Sequence, residues 1–229
     1  MSFSKSIHLL FTKLKLITIM RLGVIRFPYQ PVPYSSGKSR RYQGTIERWN
    51  ATVSVLDKTK SCSVLDVGCN TGFFSIEMAK RGNFCVGVDT AGKQLMVANA
   101  IKDLYQLDGV TFTRMKIDPE NVSSLPHFDT TFCLSIFHHW ALQYGAAGAI
   151  SIMKTLADRT NGMLIFETAQ TDNCSEKYRK ALPDMGTEPK KWLEEFILDL
   201  GFNEVVSLGQ FGVIDTDDDT RELMMGKKY

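Results

Sequence analysis

From Ser61 onward, short apolar runs alternate with stretches of a longer period. Val64, Leu65 and Val67 form the first run, Phe84, Val86 and Val88 the second, and Val110 to Met115 the third. Phe132, Leu134 and Ile136 predict a fourth buried strand, opened by Asp129. Met163 to Phe166 predict a fifth, entered from an Asn161-Gly162 turn. Between these runs, Phe73–Arg81, Gln94–Leu107, Ala146–Arg159 and Lys190–Leu200 read as helices, the last stopped by Gly201 as a C-cap. Strands alternating with helices predict an α/β domain built on a buried, mostly parallel sheet. Phe202–Leu208 and Arg221–Lys227 predict a closing antiparallel hairpin around the acidic loop Asp215–Asp219.

The first 44 residues follow a different pattern. Ile7 to Ile25 is rich in Leu and Ile, but Lys13, Lys15 and Arg21 interrupt it. No apolar run reaches the roughly 20 residues that span a bilayer, and no small-residue cleavage site follows. Two readings remain: a helix packed on the domain or on a partner chain, or a basic amphipathic helix lying peripherally on an anionic membrane. Phe27 to Tyr34 is proline-rich and extended, and Ser35 to Arg41 is a basic loop. Thr45 to Leu56 returns to helical spacing, with Ile46, Trp49, Val53 and Leu56 on one face. The expected division is an N-terminal extension over 1–44 and a catalytic domain over 45–229.

Composition changes this picture in two places. Of the 27 Lys and Arg residues, eight precede the first acid, Glu47, so the remaining 19 face all 25 acids. A basic arm on an acidic body points to an anionic partner for the arm, or to docking of the arm on its own domain. The five cysteines (Cys62, Cys69, Cys85, Cys133 and Cys174) have no Cys-x-x-Cys spacing, which predicts reduced thiols in a cytoplasmic protein. His8, His127, His138 and His139 lack supporting carboxylates at ligand spacing, so no metal site is expected.

The candidate chemistry begins where the first strand meets the first helix of the domain, in Asp66-Val-Gly68-Cys69-Asn70-Thr-Gly72. A strand, a tight glycine turn and a helix N-terminus make the usual nucleotide-binding corner of an open α/β sheet. Glycine at 68 and 72 leaves room that a Cβ would take from a ligand. The spacing is not Gly-x-Gly-x-x-Gly, since Asn70 and Phe73 stand at the second and third places. A second acid, Asp89, ends the next strand about 20 residues on, the position of a ribose-binding carboxylate.

With these two motifs the chain resembles class I S-adenosyl-L-methionine (SAM) methyltransferases. The resemblance implies a Rossmann-like doubly wound, mostly parallel seven-stranded sheet with an antiparallel last strand. It assigns SAM to Asp66, Gly68, Cys69, Asn70, Gly72 and Ser135, with Asp89 on the ribose and Asp118 on the adenine. The other reading of Asp118 is a turn residue before Pro119. Tyr42 and Trp49, in the helix before the first strand, are candidate walls of the site. Ser135 to Trp140 is expected at the carboxyl edge of the sheet, over the sulfonium. There His139, and after it His138, is the candidate general base for an acceptor hydroxyl, or else a structural hydrogen-bonding group. Glu167 closes the fifth strand beside the same pocket. Tyr178 and Arg179 lie in the irregular insert Thr168–Pro189, where the family caps its acceptor site.

Two subfamilies are similar in local sequence. Wobble-uridine tRNA methyltransferases share Phe-Asp-Thr, His139, Phe166-Glu-Thr168, Lys191-Trp-Leu193 and Gly201-Phe202, but have an aromatic hydroxyl residue where His138 stands. RNA 5′-phosphate methyl-capping enzymes share Asp66-Val-Gly-Cys-Asn70 and Cys133-Leu-Ser-Ile136. The expected reaction is methyl transfer to an oxygen of a small-molecule, sugar or lipid-linked acceptor. RNA or tRNA is the alternative substrate, less favoured because the acidic body offers few clustered phosphate-binding residues. A reading of another class is a non-catalytic SAM-fold subunit that binds a partner.

Overall fold

The computed structural model describes residues 3–22, 25, 28–34, 39–56, 61–214 and 219–229. Phe27, Ser35 to Lys38 and Asp215 to Asp218, all in expected loops, lie outside the described residues.

Five strands run parallel: β1 (Ser63–Val67), β2 (Phe84–Asp89), β3 (Val110–Arg114), β4 (Phe128–Leu134) and β5 (Thr160–Glu167). Two more, β6 (Glu204–Gly212) and β7 (Thr220–Lys227), form the closing hairpin, and β7 pairs antiparallel with β5. The order across the sheet is β3-β2-β1-β4-β5-β7-β6. The doubly wound, seven-stranded sheet expected from the sequence is thus present, with its antiparallel last strand. Chain direction across the sheet reverses between β1 and β4, which opens a crevice at their carboxyl ends.

Helices cover both faces. They are α1 (Phe3–Arg21), α2 (Tyr42–Val55), α3 (Phe73–Lys80), α4 (Gly92–Tyr105), α5 (Phe137–Asp158), the short α6 (Glu176–Arg179) and α7 (Pro189–Asp199). Successive strand residues feed opposite layers, as pleated geometry requires. Leu65, Leu164 and Phe166 pack with Phe137, Ile152 and Phe196 of α5 and α7. Val64 and Ile165 pack with Trp49, Phe74 and Met78 of α2 and α3. Trp49 is therefore a core residue, edge-on to both Phe73 and Phe74, while Tyr42 is exposed.

α1 packs on its own domain: Leu16, Ile19 and Met20 meet Val97, Ala100, Ile101 and Leu104 of α4. Lys15 Nζ reaches Asp103 at 3.3 Å. The outer side leaves Leu10, Phe11 and Leu14 in solvent. Among the described residues, no helix is long and apolar enough to cross a membrane.

Two expected boundaries are corrected. α5 begins at Phe137, not Ala146; the expected start coincides with a break at Gly145, whose φ of 72° lies outside the helical region. Ser135 and Ile136, the latter expected on the fourth strand, therefore form a two-residue link between β4 and α5, and Phe137 to Trp140 is the first turn of that helix. Asn161-Gly162 is inside β5, not a turn before it. Gly162 is required there because a Cβ would come within 2.9 Å of the Asp129 carbonyl, next to a register shift in β4.

Candidate active site

The loop from Gly68 to Gly72 has an alternating backbone. Gly68, Asn70 and Gly72 take φ of 71°, 53° and 77°, and the residues between them do not share this conformation. Left-handed backbone is cheap for glycine and, among larger residues, best tolerated by Asn or Asp. This is why Asn can stand in the middle of the Gly-x-Asn-x-Gly pattern. Its Oδ1 also accepts the Thr71 N–H at 2.9 Å. A Cβ on Gly68 would fall 2.1 Å from Ile136 Cδ1, so the turn lies directly against the wall formed by the start of α5.

One acid holds this loop, and a second anchors the helix that follows it. Asp89 Oδ2 accepts the Asn70 N–H and its Oδ1 accepts the Ala91 N–H, both at 2.8 Å. Asp66 faces inward. Its Oδ2 accepts Ser75 Oγ–H at 2.6 Å and the Ser75 N–H at 3.2 Å, in the first turn of α3. Asp66, expected at the ligand, is only 3% exposed and anchors the first turn of α3 behind the loop.

Burial pushes the Asp66 carboxyl up to about 6 from its ordinary 3.8, against the Ser75 hydrogen bonds. The folded chain therefore holds a proton that the unfolded chain has released between these values. The stability this group contributes is complete below pH 3.8 and is lost as pH rises through 6, about 3 kcal/mol in all. Urea titrations of wild type and Asp66→Asn at pH 4, 5 and 7.5 are expected to show the gap shifting towards the variant with rising pH. A pH-independent gap would refute this.

A cavity of about 350 Å³ opens between the tips of β1, β2 and β3 and the start of α5. Gly68 and Asp89 line one side, Met115, Lys116 and Ile117 the second, and Ile136, His139, Trp140 and Gln143 the third. Trp140 Nε1 donates to the Ile117 carbonyl at 3.0 Å, fixing the indole against the loop after β3. The volume, the apolar walls and the single carboxylate at the edge suit an adenosine-sized ligand. A larger hollow of about 590 Å³ lies near the opposite ends of the strands, bordered by Cys62, Asp129 and Lys228. Leu56 and Ser61 also line it, and none of these cofactor-site residues does.

Asp118 does not line the cavity. Its Oδ1 accepts the N–H groups of Glu120 and Asn121, the turn role anticipated as its alternative. Cys69 is fully buried, and its backbone N–H, like that of Gly68, donates to the Val88 carbonyl.

The adjacent histidines separate in role. His138 is buried, and its Nδ1 accepts the Ala169 N–H at 3.2 Å, so that nitrogen carries no proton. Burial, then the nearby Arg221 charge, holds His138 well below 6.5. His139 lines the cavity, with Nδ1 3.4 Å from Tyr178 Oη. Its pKa is also lowered, first by desolvation and then by Arg221 and Lys177. Tyr178 stands edge-on to both imidazoles, so α6 of the insert closes over them. Arg179 turns away: its Nε donates to the Thr171 carbonyl and Nη2 to that of Cys174, which folds the insert on itself.

Glu167 is not open to a substrate. It has no exposed surface, and its carboxylate is enclosed by Arg41, Arg48 and Ser135. Arg41 Nη2 donates to both carboxylate oxygens, at 2.9 and 3.0 Å, and its Nη1 to Ser135 Oγ and Tyr29 Oη. Arg48 Nε donates to Oε2, and its Nη groups reach the Gly44, Phe211 and Gly212 carbonyls. Ser135, with φ of 60°, directs its hydroxyl into this cluster. Farther along the same segment, Gln30 Oε1 accepts the Phe73 N–H and Thr71 Oγ–H at the α3 N-terminus. Docking of the arm on its own domain is what Arg41 and Gln30 do.

Sequence reasoning missed Arg41, Arg48, Arg221 and Gln30. The only signal was the short interval from Arg41, just before α2, to Arg48 within its second turn.

A family model described as a methyltransferase domain matches residues 58–199. The O-antigen chain terminator bifunctional methyltransferase/kinase WbdD of Escherichia coli is 30% identical over 105 residues, 45% of this chain and 15% of WbdD. The tRNA U34 carboxymethyltransferase of Aliivibrio salmonicida is 31% identical over 96 residues, 40% of this chain and 28% of that protein. The matched stretch thus spans less than a third of either relative. In three dimensions, a WbdD crystal structure superposes with TM-score 0.72 at 22% identity, covering 93% of this chain and 46% of that one. The N-terminal domain of EvdMO1, crystallised in the presence of SAH and D-fucose, gives 0.66 at 12% identity, covering 95% and 97%.

Proposed function

The chain belongs to the methyltransferase-domain family and uses S-adenosyl-L-methionine, and from that premise we propose that it methylates an oxygen nucleophile of a small-molecule, sugar or lipid-linked acceptor. The observation that carries the proposal is the juxtaposition of Asp89, the Gly68 turn and His139 around one cavity at the switch point of the sheet.

When bound, SAM supplies an electrophilic methyl group on a sulfonium. Asp89, held by two backbone N–H groups, is oriented to accept ribose hydroxyls. Trp140, Ile136 and Ile117 would wall the base, and the Gly68 turn would leave room for the rest of the cofactor. His139 faces the acceptor side and takes the hydroxyl proton as the oxygen attacks. Its lowered pKa keeps it neutral, with a lone pair available, at pH 7. Tyr178 holds the ring from above. Positioning and proton removal are the protein's contributions.

A sugar acceptor draws support from the O-antigen relative and from the EvdMO1 domain crystallised with D-fucose. Labelled-methyl transfer from SAM into fractionated cell extract, followed by mass spectrometry, identifies the acceptor. Label confined to RNA would overturn the sugar or small-molecule reading. With that acceptor in hand, kcat of the wild type is expected to rise with pH to a plateau, through a pKa below 6.5. His139→Gln is expected to lose about 100-fold in kcat together with the acid limb. Wild-type turnover in that variant would exclude His139 as the base.

The outer face of α1 supports a second part of the proposal, peripheral contact with an anionic membrane, because Leu10, Phe11 and Leu14 lie exposed beside Lys15 and Arg21. Leu10→Asp with Phe11→Asp is expected to reduce flotation with anionic vesicles several-fold. Unchanged flotation would remove this contact.

A further inference from the structure

Three guanidinium groups converge on one carboxylate at the carboxyl edge of the sheet. Arg41 and Arg48 are hydrogen-bonded at every guanidinium nitrogen, to Glu167, Ser135, Tyr29 and backbone carbonyls. Arg221 is not. Its Nη1 donates to Ser135 Oγ at 3.1 Å and stands 3.9 Å from Glu167 Oε1, while its buried Nε has no partner among the described residues. The residue is 9% exposed. A guanidinium carries five donors in a fixed fork, and a buried one without a matching acceptor is costly.

Topology places this unmatched donor set beside the reaction site. β7 runs antiparallel to β5, so its first residues return to the edge where β4 and β5 end. Glu222, the next residue, points to the opposite face and is paired there with Ser207 Oγ and with Lys190 at 3.1 Å. It does not neutralise Arg221. Ser135, which Arg221 contacts, directly precedes cavity-lining Ile136, and the charges of Arg221 and Lys177 both reach His139. A sulfonium brought beside this cluster adds more positive charge in a partly desolvated space.

We propose that the methyl acceptor carries an anionic group, a phosphate or a carboxylate, and that Arg221 receives it. The inference rests on the methyltransferase reading and specifies its acceptor. The anion completes the guanidinium fork and balances the excess of arginine charge over Glu167. It also sets the acceptor oxygen at a fixed distance from His139. Arg221 is then a specificity-determining residue for charged over neutral substrates.

The test uses the full chain loaded with SAH, titrated calorimetrically with inorganic phosphate and with acetate, against chloride at matched ionic strength. Saturable binding of phosphate or acetate is expected, and whichever binds identifies the group. Arg221→Gln is expected to weaken that binding at least tenfold, and Arg221→Lys, which keeps the charge but not the fork, by less. SAH affinity should remain within about twofold in both variants. Should Arg221→Gln not fold, Arg221→Lys against wild type gives the comparison. No preference for either anion over chloride, or equal anion affinity in wild type and variants, overturns the proposal. Failure of the wild type to bind SAH would instead overturn the methyltransferase reading.

Discussion

Glu167→Gln is expected to cost about 3–5 kcal/mol of folding stability, the range for removing one partner of a buried ion pair. The side chain has no exposed surface and is the counter-ion of Arg41 and Arg48, with Arg221 farther off. Deleting its charge leaves guanidiniums in a site whose other acceptors are hydroxyls and carbonyls. The glutamine amide accepts at one atom where the carboxylate accepts at two, and its NH₂ opposes Arg48 or Ser135. Urea denaturation measures the loss. Limited proteolysis should also show earlier cleavage near Arg41, because Glu167 anchors the segment leading into α2. A loss below about 1 kcal/mol would mean that these arginines find other counter-charges, and the cluster would not hold the arm.

Asp89→Ala is expected to weaken SAM binding by about 100-fold while leaving the fold intact. Hydrogen bonds to a charged group contribute roughly 1.5–3 kcal/mol each, and tenfold in affinity corresponds to about 1.4 kcal/mol. The carboxylate also holds the Asn70 N–H, so its removal releases the left-handed turn that Gly68 and Gly72 frame. Asp118→Ala is the comparison. Its carboxylate is engaged with the turn at Glu120 and Asn121 and does not line the cavity, so SAM affinity should change by less than about threefold. Calorimetry on both variants decides which acid serves the cofactor. Equal losses would restore Asp118 to the adenine site.

The corner from β1 through the turn to α3 was legible because periodicity changes within ten residues and glycines mark the change. Asp89 was legible because the next buried run stops on it. The start of α5 was not. Phe137, His138, Trp140 and Ala141 are all buried, so that turn of helix lacks the polar face by which helical spacing is recognised. One wall of the cavity escaped notice for a chemical reason: Ile117 resembles a core residue in a sequence, and only geometry turns it towards a ligand. The arginine cluster was hidden by distance, since no local pattern connects Arg48 with Glu167 or Ser135 with Arg221.

That distance has a consequence at the ribosome. Arg48 is made 119 residues ahead of Glu167 and 164 ahead of Gly212, and Arg41 has the same two partners. At about 5–20 residues per second, the arm waits on the order of ten seconds before the first of these acceptors is synthesised. Its charges stay hydrated through that interval and are withdrawn from water only when β5 and the hairpin are in place, which makes seating of the arm a late event in the birth of the molecule.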